Sequence, residues 1–557
     1  MRYKKTNRYL IAILCLSFIL NITGITWGFP ATWDNDTSVK RLFWMGNHKT
    51  IIPQRFDYGT ALPYLNAIVI SPYILYLKAT GYSFTAENIN TSGPEFYNTV
   101  YLIARLTNVL FAVGIVYLTY LLGKELFNKK AGLIAALFIA ITPGFIVHAH
   151  FTSVDVPSIF LMMLTLLCIL IFLRKEQRRY MVIASFLIGV GISTKHVFAL
   201  TLILPVFLAM LFVYKKKIMK EVVLLCIVPC IIGFLLTTPT VLIRPGQFIR
   251  DNLHTVNLFA ETTVPGERGI LGNYGALEHL RNLIHAMGPL LATVSIALFG
   301  GLTLSQVNNF EKKKFMIMFW AIMFFISISL LKFSPIRAVM PLLPILVIFA
   351  ASYFAENFKN PLTKISLLMI ILFTLYNGIL VDNMIVNETR YDATNWINEN
   401  IPDGAVINII ASDRYLPTIY SRNDLNSNMA RIPYTGVYNM KHTPSYHVQE
   451  LKPVSDYHYF RINSNKFIHF ENNFKQDNLG EYVVITDSYY GRFFDEAFVE
   501  GAHSSESFSL ISQFYAKLLN EEYGSIIADF YYDTNKYPTV PFISPRITII
   551  KIGEEIK

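Results

Sequence analysis

The sequence predicts a polytopic α-helical membrane protein with a C-terminal α/β domain. Three observations predict it. Of 557 residues, 53% are hydrophobic and only 15% charged, against about a quarter charged in a soluble protein. The apolar residues fall in long runs that stop near residue 381. Beyond them, 382–557 has ordinary polarity and reads as alternating helix and strand. With a mean hydropathy of +0.40, the same figures exclude disorder, coiled coil and collagen.

The apolar runs predict eleven helical spans, at about 10–28, 98–122, 131–147, 156–173, 180–194, 197–214, 221–238, 286–303, 315–331, 338–354 and 364–381. Helices are expected because lipid offers backbone groups no partners. Several runs are near the lower length limit for crossing about 30 Å of hydrocarbon. The first has a basic start and an apolar centre, but Gly28-Phe29-Pro30 is a poor cleavage site. It is read as a retained anchor.

The gaps carry the orientation. Lys and Arg cluster at 2–8, 124–130, 174–179, 215–220, 312–314 and 359–364, while the short opposite turns hold only Lys195, Lys332 and Arg337. The positive-inside rule puts the crowded side, and the N-terminus, in the cytoplasm. The formal net charge of +10 is therefore a topology signal, and nucleic acid is not an expected partner. Cys15, Cys168, Cys226 and Cys230 all lie in predicted spans, so no disulfide framework is expected.

Three segments remain outside the membrane on the other side: 29–97, 239–285 and 382–557. The first contains AIVISPYILYLK (67–78), too short to span and expected to lie on the membrane surface. In the last, Ala393–Asn400 reads as a helix, Pro402-Asp403-Gly404 as a turn, and VINII, EYVVITDS and RITIIKI as strands. Domains of 1–381 and 382–557 follow.

A protein with large segments on one membrane face works at that face, and charges near it are the first suspects. Asp34 and Asp36 open the first loop; Asp155 starts the fourth span; Lys195 and His196 sit in the turn STKH; Arg105 lies two turns inside the second span; Arg337 begins the tenth. Each has a plain alternative. Asp155 suits a helix N-cap. Lys195 and Arg337 suit anchors to lipid headgroups. Arg105 suits a packing partner for Asp155. Asp34 and Asp36 suit solvated loop charges. His148 and His150 suit metal ligation only with a third ligand.

Taken together, acids and bases at one membrane face suit transfer from a lipid-linked donor. A carboxylate there can take an acceptor's proton. Cations can hold the departing phosphate, where charge develops. On this reading Asp34, Asp36 and Asp155 are the catalytic candidates. Lys195, Arg337 and Arg105 are the donor-phosphate candidates. A divalent ion shared by Asp34 and Asp155, with His150 nearby, is an open possibility.

ARLTNVLFAVGIVYLTYLLGKELFNKKAGLIAALFIAITPGFI (104–146), HFTSVDVPSIFLMMLTL (150–166), GVGISTKHVFALTLILP (189–205) and SPIRAVMPLLP, in this order, resemble the GT-C membrane glycosyltransferases. The resemblance is to the protein O-mannosyltransferase-like and aminoarabinose-transferase-like group, glycosyltransferase family 39 in the broad sense. TWDNDTSVKRLFWMGNHKTIIPQRFDYGTALPYL (32–65) is similar to that group's first loop, and TNWINENIPDGAVI to the start of its C-terminal domain. The resemblance implies an inverting transfer of a sugar from a polyprenyl-phosphate donor to a lipid, glycan or protein acceptor. It implies a first-loop Asp as base. The family's acidic pair reads here Asp34-Asn35, with Asp36 next; alignment on Val39-Lys40-Arg41 favours Asp34, spacing from the membrane Asp36. Asp155 and Lys195 match the family's second acidic and Thr-Lys positions. The Trp-Trp-Asp motif of oligosaccharyltransferases is absent, Trp occurring only at 27, 33, 44, 320 and 396. The competing readings are a transporter or flippase of lipid-linked sugars and a glycan-binding scaffold. The odd span count without an inverted repeat weighs against the former.

Overall fold

The computed structural model describes residues 2–29, 37–82, 94–214, 221–261, 275–306, 310–330, 335–410, 416–419, 447–450, 480–487, 513–531 and 544–553. Asp34, Asp36 and most of the aromatic clusters of the C-terminal domain lie outside these residues.

Each of the eleven predicted runs falls mainly on helix, the first of them ending at Ile22 rather than at 28. They comprise α1 (Arg2–Ile22), α4 (Pro94–Leu126), α5 (Lys129–Ala140) with α6 (Pro143–Ala149), α7 (Asp155–Lys175), α8 (Arg178–Leu200), α9 (Ile203–Tyr214), α10 (Val228–Thr237), α13 (Pro289–Ser305), α14 (Lys312–Ser329), α15 (Leu343–Glu356) and α16 (Pro361–Val386). Among the described residues, five helices are long and apolar enough to cross a membrane, six if the bent pair α5–α6 is one span; α9, α10 and α13 are among the shorter apolar helices. The chain is a multi-pass membrane protein. Its core is one continuous apolar cluster running through α4, α5, α7, α8, α14 and α15.

Two of the boundaries have clear physical causes. The run 131–147 bends by 57° because Pro143, one residue after Thr142, starts a new helix and has no N–H to continue the old one. The expected turn at STKH is sharper than a loop. Helical geometry breaks at Lys195 alone, φ −150° and ψ 94°. A Cβ on Gly191 would stand 3.0 Å from the Ala199 methyl, whereas eight residues of straight helix rise about 12 Å. The chain therefore folds back on itself at Lys195. The α8–α10 contact is backbone-tight at Gly189 and Gly233, where a Cβ would meet the carbonyls of Cys230 and Phe186, the small-residue packing expected between apolar helices.

Between the spans lie α2 (Thr37–Asn47), α3 (Ala61–Ala79), α11 (Pro245–Glu261) and α12 (Gly275–Met287). Helix α3 is longer than the apolar stretch predicted for the membrane surface, and exposes Ile68, Leu75 and Tyr76. Its other side packs with α2 and the start of α4 around Val39, Ile70, Phe96 and Tyr97. These elements and the C-terminal domain share one end of the helical domain, called here the loop face. At the opposite end, Glu125 ties α4 to α7 and α14 through Arg174 at 2.6 Å and Lys313 at 2.8 Å.

The C-terminal domain has α17 (Thr389–Asn400) and a five-stranded mixed sheet: β1 (Val406–Ile410), β2 (His447–Glu450), β3 (Tyr482–Thr486), β4 (Gly524–Phe530) and β5 (Ile547–Ile552), in the order β2-β1-β3-β5-β4. β1 is parallel to β2 and β3, and β5 is antiparallel to β3 and β4. The predicted helix, turn and three strands are all present, with Gly404 of the turn at φ +85°. β3 is buried along its whole length, as a strand covered on both faces must be. β2 and β4 were not foreseen: HVQE is short, and GSIIADF carries a bulge between Ile526 and Ala528.

Candidate functional site

The site is built where four segments meet at the loop face. Asp155 opens α7, and its buried carboxylate forms an ion pair with the Lys195 ammonium. Ser153 donates to the other carboxylate oxygen at 3.0 Å. Asp155 does not cap its helix, as one reading of the sequence had it: Val154 occupies the cap position and Asp155 the first turn, where a negative charge is favoured by the helix dipole. The break at Lys195 turns its side chain towards α7. The ammonium lies 3.9 Å from the Phe198 ring centre, a cation–π contact. A narrow cleft runs from Lys195 between α7 and α8, lined by Ser158, Leu161, Thr165, Leu187 and Leu202.

Arg337 lies in a 3-10 turn, Ile336–Ala338, within electrostatic reach of Asp155, as does buried His148. The convergence expected for Asp155, Lys195 and Arg337 is thus present. On neighbouring α12, burial and the Arg281 charge push His285 down to about 4, so it is neutral near pH 7.

The loop before α7 is held from two sides. Asn108 of α4 donates to the carbonyls of Phe151 and Ser153. Ser38 of α2 donates to the Thr152 carbonyl at 2.7 Å, and Asn66 of α3 to the Ser38 hydroxyl at 3.3 Å. Arg41, three residues on from Ser38, reaches back to Asp57 at 3.2 Å. Tyr58 then lies 6.4 Å from the His196 ring. Gly59 sits directly against the Ser193 backbone, where a Cβ would be 2.3 Å from its carbonyl oxygen. Thr60 closes the contact by donating to the Thr237 carbonyl at 2.7 Å.

Arg105 is held where the first span ends. Its guanidinium donates to the carbonyls of Ile25 and Trp27, at 2.8 and 2.5 Å, and lies over the Trp27 and Phe29 rings. A fully buried Arg two turns inside a span finds backbone acceptors where the preceding helix has ended. His150 is likewise occupied. One ring nitrogen faces the Ile146 carbonyl at 2.7 Å and the other the Thr23 carbonyl at 2.6 Å, which leaves neither for a metal. Among the described residues no three His, Cys, Asp or Glu side chains gather as a metal site; Asp34, the expected co-ligand, lies outside them. Sequence reasoning passed over Asn108, Arg41, Asp57 and Tyr58. Asn108 shares its helix face with Arg105 by the i,i+3 spacing, and Tyr58 ends the quoted Phe-x-Tyr segment, so both had a signal.

Residues 98–241 match the family described as dolichyl-phosphate-mannose-protein mannosyltransferase. The chain is 34% identical over 131 residues to the Bacillus subtilis protein named "Putative mannosyltransferase YkcB"; the match spans 23% of this chain and 18% of that one, less than a fifth of the relative. The fold is similar to that of ArnT from Cupriavidus metallidurans bound to undecaprenyl phosphate, with a TM-score of 0.51 at 11% identity, over 99% of this chain and 98% of that one. It is also similar to the Archaeoglobus fulgidus oligosaccharyltransferase, with a TM-score of 0.51 at 16% identity, over 95% and 73%. Residues 98–241 are thus similar to a mannosyltransferase family, and the fold of the chain is similar to that of two solved membrane proteins, ArnT and the oligosaccharyltransferase.

Proposed function

We propose that this protein is an inverting glycosyltransferase that moves a sugar from a polyprenyl-phosphate donor to an acceptor at the extracytoplasmic face. The observation that carries this reading is the buried Asp155–Lys195 pair at the fold-back, with Arg337 in reach. It lies beside the anchored ends of the segment that bears Asp34 and Asp36. Gly28 on one side is held by Tyr391, and Ser38 on the other is held to the loop before Asp155.

Each group has a role on this reading. Lys195 and Arg337 receive the donor phosphate, whose charge grows as the glycosidic bond breaks. Asp155 holds Lys195 in place through their ion pair. The polyprenyl chain lies along the apolar surface of α7 and α8 beside the cleft. Asp34 or Asp36 takes the acceptor hydroxyl proton as that oxygen attacks the anomeric carbon from the side opposite the phosphate. The acceptor is a lipid, a glycan or a protein hydroxyl, and the loop face is the extracytoplasmic one by the distribution of basic residues.

The test is sugar transfer from polyprenyl-phosphate donors in proteoliposomes, with Asp34→Asn, Asp36→Asn and Asp155→Asn made separately. The base variant should lose about 10²–10⁴ in rate. Full activity in all three, or donor translocation with no transfer by the wild type, overturns the reading.

A further inference from the structure

A second buried ion pair lies at the junction of the two domains, and no step above uses it. Glu388, between α16 and α17, is paired with Arg390 at 3.0 Å, both side chains fully buried. The same carboxylate accepts from the Trp27 indole N–H at 2.8 Å and from the Ser544 backbone N–H at 2.8 Å. One acid thus joins the end of the first span, the end of α16 and the approach to β5. Ser544 has a left-handed φ of 47°, a conformation a non-glycine residue holds only where its surroundings impose it. Its hydroxyl donates to the Met384 carbonyl and Thr389 donates to the Pro545 carbonyl.

The stretch held by this junction leads into the acidic segment of the first loop. Helix α1 ends at Ile22, so backbone groups beyond it need outside partners. Some are satisfied by local turns, such as Trp27 N–H to the Gly24 carbonyl at 2.8 Å, and others by distant elements. His150 faces the Thr23 carbonyl, Arg105 takes those of Ile25 and Trp27, and the Tyr391 hydroxyl accepts from the Gly28 N–H. The Trp27 ring lies between two guanidinium groups, 5.6 Å from Arg105 and 5.5 Å from Arg390. Its indole N–H and the Gly28 N–H are the hydrogen bonds named here that connect this stretch to Glu388 and the C-terminal domain.

We infer that Glu388 is a positioning residue: through Trp27 it sets residues 25–29, from which the chain runs on in sequence to Asp34, according to how the C-terminal domain is docked. The catalytic consequence rests on the proposed function; the structural one does not. Trp27→Phe removes only the indole donor and keeps an aromatic ring between the two arginines. Tyr391→Phe removes only the acceptor for Gly28.

The experiment is hydrogen exchange on the full-length protein in nanodiscs, with transfer kinetics alongside. Both variants should speed exchange in peptides covering 23–29 and 37–47 by about tenfold, with β3 and β5 unchanged. They should lower kcat by about 10–100-fold and leave KM for the donor within about twofold. Unchanged exchange in 23–29, or exchange rising equally in β3 and β5, overturns the inference. So does a fall in transfer that is wholly a KM effect. Faster exchange confined to 23–29 and 37–47, in a protein whose wild type transfers no sugar, upholds the positioning role and removes the functional reading instead.

Discussion

Among the described residues, two buried ion pairs differ in what surrounds them. Glu388–Arg390 is fully buried, and its carboxylate is shared among donors from three segments of the chain. Asp155–Lys195 keeps 6% and 10% of its side-chain surface exposed, borders a cleft, and sits at a one-residue break in a helix. Desolvating a pair is costly, and the cost is offset only where further hydrogen bonds satisfy both partners. The first pair meets that condition as a structural joint. The second retains access and lies among further charged groups, the arrangement of a site that receives an anion. Burial alone does not separate a joint from a site; the partners of each charge do.

Substitutions can break this contrast. The largest effect on stability is expected from Glu388→Gln, which leaves Arg390 buried without its counter-charge. Unfolding in a denaturant titration should come about 3–5 kcal/mol easier. Glu388→Leu combined with Arg390→Met restores neutrality but should recover little, because Trp27 and Ser544 then lose their acceptor. The opposite is expected at the site. Asp155→Asn combined with Lys195→Gln should unfold near the wild-type midpoint, since neither charge is stranded. Sugar transfer should still fall by about 10²–10³. Recovery of transfer in that double variant would make the pair a joint like the other. Arg337→Gln, which removes a more distant cation, should cost about tenfold in transfer with unchanged folding. The smallest effect is expected from Arg178→Ala on the opposite face. Its pair with Glu221 is 2.6 Å long but Arg178 is 64% exposed, so stability should change by less than about 1 kcal/mol. A larger change there would mean that exposure is a poor guide to the worth of these pairs.

Most of the helical framework was legible because lipid imposes apolar runs, and every predicted run falls mainly on helix. Asp155, Lys195 and Arg337 were legible because charges are scarce there. Their mutual approach was inferred from topology, and the structure places them together. Arg105 and His150 have partners that the sequence did not show: a buried cation or imidazole looks functional in a sequence. Its partners here are main-chain carbonyls left free where α1 ends, and carbonyls have no letter in the sequence. Glu388 was invisible for the same reason. It sits among ordinary charges after the last span, and only folding brings Trp27 and Ser544 to it across 361 and 156 residues of chain.

The sequence by itself determined that the chain spans a membrane, where the apolar domain ends and which charges are rare enough to matter. These are one-dimensional properties, fixed by the partitioning of side chains between water and hydrocarbon. Only the tertiary structure decided which rare charges meet. The fold-back at Lys195 brings the ammonium to Asp155, while the end of α1 holds Arg105. Pairing energy falls off within a few ångströms and backbone acceptors compete for every buried donor, so proximity, which sequence does not encode locally, chooses between a site and a joint.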